Sequence, residues 1–273
     1  MMTAPGHTLR FFRLVLLWAG LVLTASGLGG CSTMDTMLGW VGFGSDKTGT
    51  EQPEVLAMRG MDDFNRGKYH TALEFFDEIK NRFPFSDVAL LAELKSADSN
   101  YYMDKFGEAK TLYEEFEANH PTNEAIPYVL FQIAMCHYKQ IGTSDRDPGH
   151  AMNAVQAYER LNRSFPQSPY FIEASARAMA ARDFLAQHEF SVASFYVRTD
   201  EYGQAQRRLE YLLANYPKAG VVPQASELLA QLKSGNPPAK SWMRFVPTVS
   251  LPDWKSFTSA FGVMPGGAAP AGN

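Results

Sequence analysis

Two cysteine thiols are the strongest nucleophiles in this chain, and their surroundings suggest different chemistry. Cys31 follows an apolar N-terminal run and the small residues Gly29 and Gly30, so its thiol is a candidate for covalent modification. Cys136 stands alone in an apolar, helix-like stretch, where a cysteine usually acts as a small buried hydrophobic residue. Two cysteines in such different settings cannot build a disulfide framework.

The residues before Cys31 have the order of a secretion signal. Arg10 and Arg13 precede an apolar core that is long enough for export but too short for a stable transmembrane helix. The stretch Leu28–Cys31 then resembles the lipobox of bacterial lipoproteins. The alternative is an ordinary signal peptide with an incidental cysteine, but the leucine, both glycines and the apolar core all agree with a lipobox.

The lipobox resemblance implies the chemistry and the place of the anchor. The thiol of Cys31 would receive an S-diacylglyceryl group, and the amine freed by cleavage would receive a further acyl chain such as palmitate. Several acyl chains anchor a protein durably, whereas one chain binds only marginally. Ser32 stands where inner-membrane lipoproteins often carry aspartate. The resemblance therefore implies the periplasmic face of the outer membrane.

The remaining reactive side chains do not form a recognisable catalytic arrangement. The mature chain has five histidines: His70, His120, His137, His150 and His188. None has a metal-ligand spacing, and no phosphate-binding or nucleophile-elbow motif occurs. The acidic stretch Asp145–Pro148 is better explained by Asp147 as a helix N-cap and Pro148 as the first helical residue. We expect a non-enzymatic protein without metal or cofactor.

Charge and composition exclude a further class of partner. Loss of the signal removes two arginines, which takes the formal net charge from −4 to −6 and leaves no obviously basic face. Nucleic acid is therefore not an expected partner. Residues 31–53 are rich in Ser, Thr, Gly and Asp and predict a flexible tether behind the lipid.

Four prolines end four segments of similar pattern. They are Pro84, Pro121, Pro166 and Pro217. Twelve residues before them stand Ala72, Ala109, Ala154 and Ala205. Eight before are Phe76, Tyr113, Tyr158 and Leu209, and five before are Ile79, Phe116, Leu161 and Leu212. These spacings place the alanine and both large residues on one face of a helix that the proline ends.

The recurring positions resemble the tetratricopeptide repeat, a helix–turn–helix unit. Turns are predicted at Gly67–Tyr69, at Phe106-Gly107 and at Tyr202-Gly203. A long first helix is predicted over about 170–199 and a final helix over 222–233. The fold expected is an all-α superhelix of about five degenerate tetratricopeptide repeats, with a concave surface that suits peptide binding.

Several motifs make the resemblance more specific. They are Arg82-Phe83-Pro84-Phe85, Asn119-His120-Pro121-Thr122 with Ile126-Pro127-Tyr128-Val129, and Ser144-Asp145-Arg146-Asp147-Pro148, together with Leu185-Ala186 and Ser191-Val192-Ala193 in the long helix. On these residues the chain resembles the BamD family, the repeat lipoproteins of the outer-membrane β-barrel assembly machinery. The resemblance extends from the lipobox to about Leu232.

The resemblance implies partners and candidate contact residues. The N-terminal repeats, 54–121, would receive the C-terminal strands of unfolded outer-membrane proteins, with Arg82, Phe83, Phe85 and Tyr101 as candidates. The C-terminal repeats, 122–235, would hold the barrel-forming subunit through its periplasmic domains, with Arg208 as the candidate. Accessory lipoproteins are further expected partners.

Five segments follow from these patterns: a signal peptide at 1–30, the tether at 31–53, the two repeat halves, and a tail at 236–273 rich in Pro, Gly and aromatic residues. Family members close with another helix, whereas this tail has Trp254, Phe257 and Phe261 at helical spacing after Asp253. Such a stripe docks on its own domain or binds a partner, and both alternatives stay open.

Two other functions compete with barrel assembly. Another envelope repeat lipoprotein could serve as a scaffold for peptidoglycan enzymes or for assembly of a pilus secretin. A periplasmic carrier of small ligands is disfavoured, because an open solenoid does not form an enclosed pocket.

The lipid anchor is testable by a single substitution. Cys31→Ser should leave an unprocessed, unacylated precursor, because no other thiol lies near the signal. Incorporation of labelled palmitate, compared in wild type and mutant, measures the effect. Palmitate that still enters the mutant protein would refute Cys31 as the modified residue.

Overall fold

The computed structural model describes residues 51–238 and Leu251. The signal peptide, Cys31, most of the tether and the predicted tail helix lie outside these residues. The described part contains nine helices and no β-strand, as the repeat pattern predicts. They are α1 (Pro53–Asn65), α2 (Tyr69–Arg82), α3 (Ala89–Tyr102), α4 (Phe106–Asn119), α5 (Ile126–Lys139), α6 (Gly149–Ser164), α7 (Phe171–Arg198), α8 (Tyr202–Asn215) and α9 (Val222–Lys233).

Each helix packs mainly against the helix before it and the helix after it, which is the arrangement of a repeat superhelix. Four hairpins, α1–α2 to α7–α8, are followed by α9. The predicted long helix is confirmed as the 28-residue α7. The predicted final helix is confirmed as α9. No helix in the described ranges has the length and apolar character to cross a membrane.

The contact between the two helices of a hairpin, which we call the seam, contains the residues that the spacing predicts. The four recurring alanines are completely buried, and the eight large residues at the two other recurring positions are at most 2% exposed. Alanine at these positions lets the two helices approach closely, and the large side chains fill the seam between them. Each hairpin of the array is therefore held together by the same contact between a buried alanine and large apolar side chains.

The second helix of each hairpin ends in the same way. The residue before each proline lies outside the helical region, with φ between −127° and −135° and ψ between 51° and 65°, and its N–H bonds a carbonyl four residues back. A residue that precedes proline is forced out of the helical region by the proline ring. The prolines thus end α2, α4, α6 and α8 at equivalent positions.

The turns inside the hairpins correct two predictions. Phe106-Gly107 and Tyr202-Gly203 begin the second helices and are not turns. The left-handed turn positions are Gly67 (φ 76°), Asp104 (φ 58°) and Asp200 (φ 64°). In each of these three hairpins, the residue after the left-handed one donates its N–H to a carbonyl five residues back, which is a Schellman closure. Aspartate tolerates this backbone better than most residues, so it replaces glycine in two copies.

The central helix is enclosed by its neighbours. Ten of the fourteen residues of α5 are buried, including Cys136. Burial raises the pKa of the Cys136 thiol from 9.0 to about 12, so the thiol is protonated at neutral pH. The prediction that Cys136 is a buried core residue is confirmed.

The loop before α6 contains a second, smaller correction. The Asp147 carboxylate accepts the N–H of Gly149 at 2.9 Å, but the N-cap residue is Pro148, so the prediction of Asp147 as the N-cap is wrong. The helix begins at Gly149, and Pro148 precedes it rather than opening it. Ser144 is fully buried, and its carbonyl lies 2.8 Å from Nδ1 of His188 on α7. These contacts fix the loop against the long helix.

The seam can be tested by overpacking one copy. Ala109→Leu should destabilise the protein by about 1–3 kcal/mol, because the added atoms have no space between α3 and α4. Thermal unfolding measures the loss, and Ala118→Leu on the exposed face of the same helix is the matched control. Equal melting temperatures for the two variants would contradict the placement of Ala109 in the seam.

Candidate functional site

The four candidate substrate contacts of the N-terminal repeats lie at opposite ends of the first two hairpins. Arg82, Phe83 and Phe85 are at the proline end, where α2 stops, whereas Tyr101 is at the last turn of α3. Since α3 has fourteen residues at about 1.5 Å each, roughly 20 Å separates the two groups. The structure therefore brings three candidates together and leaves the fourth apart.

At the proline end the three side chains differ in exposure. Phe83 is partly buried against the first hairpin's core, and Arg82 lies 5.3 Å from its ring centre. The Arg82 guanidinium also bonds Glu78 one turn earlier. Phe85 is 98% exposed, so its ring is fully available to a partner.

At the turn end, Tyr101 belongs to a group of rings contributed by four helices. We call it the aromatic cluster, and it consists of Phe64, Tyr69, Tyr101, Tyr102 and Phe106. Neighbouring ring centres lie 4.9–5.6 Å apart, in stacked and edge-to-face pairs. Such pairs stabilise each other by about 0.5–1.5 kcal/mol beyond the area that they bury. Tyr102 is half exposed and presents the cluster to solvent.

A charged network that the sequence did not indicate lies beside the aromatic cluster. The ammonium of Lys95 lies 4.7 Å from the ring centre of Phe64 and bonds Asp98 at 2.8 Å. Asp98 is 1% exposed and accepts the hydroxyls of Tyr113 at 2.6 Å and Tyr128 at 2.7 Å. The carboxylate thus joins α3, α4 and α5.

This network has two consequences. First, burial raises the pKa of Tyr113 and of Tyr128, and the Asp98 carboxylate adds to the effect, so both phenols stay protonated as donors. Second, loss of one partner from a buried charged pair costs about 3–5 kcal/mol, so Asp98 is a structural residue of the second and third hairpins. The sequence signal was a largely polar segment, 96–100, in a helix that also holds Glu93 and Lys95.

In the C-terminal half, Arg208 projects away from the hairpin seam. Its side chain is 45% exposed and lies 3.1 Å from a carboxylate oxygen of Glu189 on α7, which is 12% exposed. Both bonds to Glu189 use Nη1. Since a guanidinium has five N–H donors, the remaining donors can hold a second carboxylate.

A shallow groove of about 390 Å³ lies between α6 and α7. Its lining includes Glu159, Arg163, Met179 and Arg182, and both arginines bond Glu159. This charged, open surface differs from the enclosed apolar pocket of a small-molecule carrier. Within residues 51–238 and Leu251, no group of three or more histidine, cysteine or acidic side chains could hold a metal ion.

Comparisons with known proteins agree with the resemblance seen in the motifs. The Neisseria meningitidis serogroup A protein named outer membrane protein assembly factor BamD is 27% identical over 220 residues, which cover 76% of this chain and 82% of the relative. The BamD of Pasteurella multocida is 25% identical over 221 residues, covering 77% and 81%. The BamD of Vibrio cholerae is 25% identical over 186 residues, covering 64% and 77%.

A family model matches the helical part of the chain. The model described as YfiO, outer membrane lipoprotein, matches residues 50–235, which is more than half of the chain and spans all nine helices. The chain therefore belongs to the YfiO family of outer membrane lipoproteins.

Proposed function

We propose that this protein is a lipid-anchored scaffold subunit of the outer-membrane β-barrel assembly complex, which helps β-barrel proteins to insert into the outer membrane. The observation that carries the proposal is the family match over the whole helical array, together with relatives named as assembly factors. A stacked array with exposed contact surfaces suits a scaffold, and we assign it no reaction and no cofactor.

Depletion in the native bacterium tests this function. Porin levels in the outer membrane should fall, and the barrel-forming subunit should co-purify with the tagged protein at stoichiometric yield, with accessory lipoproteins beside it. A pilus secretin or a murein hydrolase as the stoichiometric partner would overturn the proposal in favour of another envelope scaffold.

The C-terminal repeats are proposed to hold the barrel-forming subunit through Arg208. Two observations support this: the guanidinium is nearly half exposed, and Glu189 engages only one of its nitrogens in the bonds described above. Glu189 also holds the side chain in position before a partner arrives. A preoriented guanidinium can pair with a partner carboxylate through parallel hydrogen bonds.

Arg208→Glu should weaken binding of the barrel-forming subunit by about 2–5 kcal/mol while the fold stays intact. The reversed charge would also lie beside Glu189, so Glu189→Gln is the matched control. If Arg208 contacts the partner directly, Glu189→Gln should leave affinity within about threefold of wild type, less than 1 kcal/mol. Titration calorimetry and melting temperature on the same preparations measure both effects. Equal loss of affinity in the two variants would mean that Arg208 acts only through its internal pair.

The N-terminal repeats are proposed to receive the C-terminal strand of an unfolded barrel protein. Of the two groups of candidates, the aromatic cluster has more of what a strand with a terminal aromatic residue needs. It offers several rings for stacking and a half-exposed face at Tyr102. We therefore place the strand's aromatic side chain against Tyr102, with Tyr101 behind it.

Tyr102→Ala should weaken binding of a synthetic C-terminal strand peptide by about tenfold, or 1.4 kcal/mol, because the aromatic ring of the peptide would lose a stacking partner. Tyr211→Ala is the matched control, since Tyr211 has nearly the same exposure (48% against 50%) and lies in the other half of the chain. Fluorescence anisotropy of the labelled peptide measures the affinity. A loss in Phe85→Ala with no loss in Tyr102→Ala would move the site to the proline end.

A further inference from the structure

One residue of the tail is placed on the body of the protein. Leu251 is partly buried and packs against the hydrophobic cluster that Ala151, Phe184 and Leu185 form. Leu251 stands eighteen residues after the end of α9 at Lys233. An extended chain of that length spans up to about 60 Å, so the tail is long enough to return to the third and fourth hairpins.

The surface that receives Leu251 is an apolar cluster, which we call the tail groove. Its members come from four consecutive parts of the fold: the segment after α5, then α6, α7 and the residue that ends α8. They are Ile141, Ala151, Val155, Phe184, Leu185 and Tyr216. Because the third hairpin supplies half of the groove and the fourth supplies the rest, an occupant would contact both.

The composition of the tail complements the body. Residues 236–273 carry three basic side chains and one acidic side chain, whereas the mature chain as a whole is acidic. Opposite charge draws the tail toward the array, and a leucine that leaves water gains about 25 cal/mol for each Å² buried. Tyr216 brings a hydroxyl to the tail groove. Burial raises the pKa of this hydroxyl to about 12, so it stays neutral.

We propose that the tail groove is the docking site of the chain's own C-terminal tail, with Leu251 as the anchoring side chain. The docked tail clasps the third hairpin to the fourth. In a repeat array the contact between neighbouring repeats sets the cooperativity of folding, so a clasp across one such contact stabilises the C-terminal half as a unit. This inference does not depend on the proposed function.

Hydrogen exchange on the mature full-length chain tests the clasp. Leu251→Asp should raise amide exchange in α6 and in the middle of α7 by about tenfold, because a charged side chain cannot stay in the apolar groove. Leu251→Met is the matched control and should leave exchange at the wild-type level. Exchange in α1 and α2 should be equal in all three proteins. Unchanged exchange around 151–155 and 184–185 in Leu251→Asp would overturn the proposal.

A second measurement does not depend on stability. No tryptophan occurs in residues 51–238, and the tail has Trp242 and Trp254. In a Trp40→Phe background, Leu251→Asp should shift tryptophan emission to the red and increase quenching by acrylamide, as the tail moves into water. In the protein that keeps Leu251, the protection of the tail tryptophans from acrylamide should not change with protein concentration. Protection that appears only at high concentration would mean that the tail docks on a second copy, which would overturn a clasp within one chain.

Discussion

A hairpin of two amphipathic helices has more apolar surface than its own seam can cover, and this constraint governs the whole array. Each of the four hairpins uses a buried alanine to bring its helices together and two large residues to fill the gap. The outer apolar faces then require the next hairpin, so the stack grows by addition. The most enclosed helix, α5, lies in the middle of the stack and has the fewest exposed residues. Surfaces that remain for partners are therefore the ends of the hairpins and the outward faces of their helices.

The two ends of a hairpin have different chemistry, and this limits where a partner can bind. Proline and the non-helical residue before it make one end, where Phe85 is exposed to solvent. Left-handed Gly67, Asp104 and Asp200 make the other end, where the chain reverses tightly and the aromatic cluster gathers. The cluster rests on the buried Asp98 network, which joins three helices of two hairpins. A contact surface at the turn end thus lies beside a buried network that connects neighbouring hairpins.

The ion pair between Arg208 and Glu189 orients a side chain more than it stabilises the fold. Its guanidinium is 45% exposed, and an ion pair that solvent can reach contributes about 0–1 kcal/mol. The geometry of the pair nevertheless fixes a guanidinium beside the C-terminal hairpins, where a partner could reach it. The fourth hairpin also supplies half of the tail groove, since Phe184 and Leu185 belong to α7 and Tyr216 directly follows α8. The fourth hairpin therefore combines a candidate partner surface with a candidate clasp.

Regular features of the repeats were determined by the sequence alone. Spacing to the prolines predicted the all-α fold, the seam alanines and the long α7, because helix period and proline sterics act within one or two turns. The family motifs, which are short contiguous stretches of sequence, predicted the outer membrane lipoprotein family. Other features needed the tertiary structure. These are the separation of Tyr101 from Phe83, the burial of Asp98 against two tyrosines, and the packing of Leu251 against the cluster that contains Phe184 and Leu185. Only the packing of the helices decides such contacts, because sequence distance does not determine which side chains meet in space.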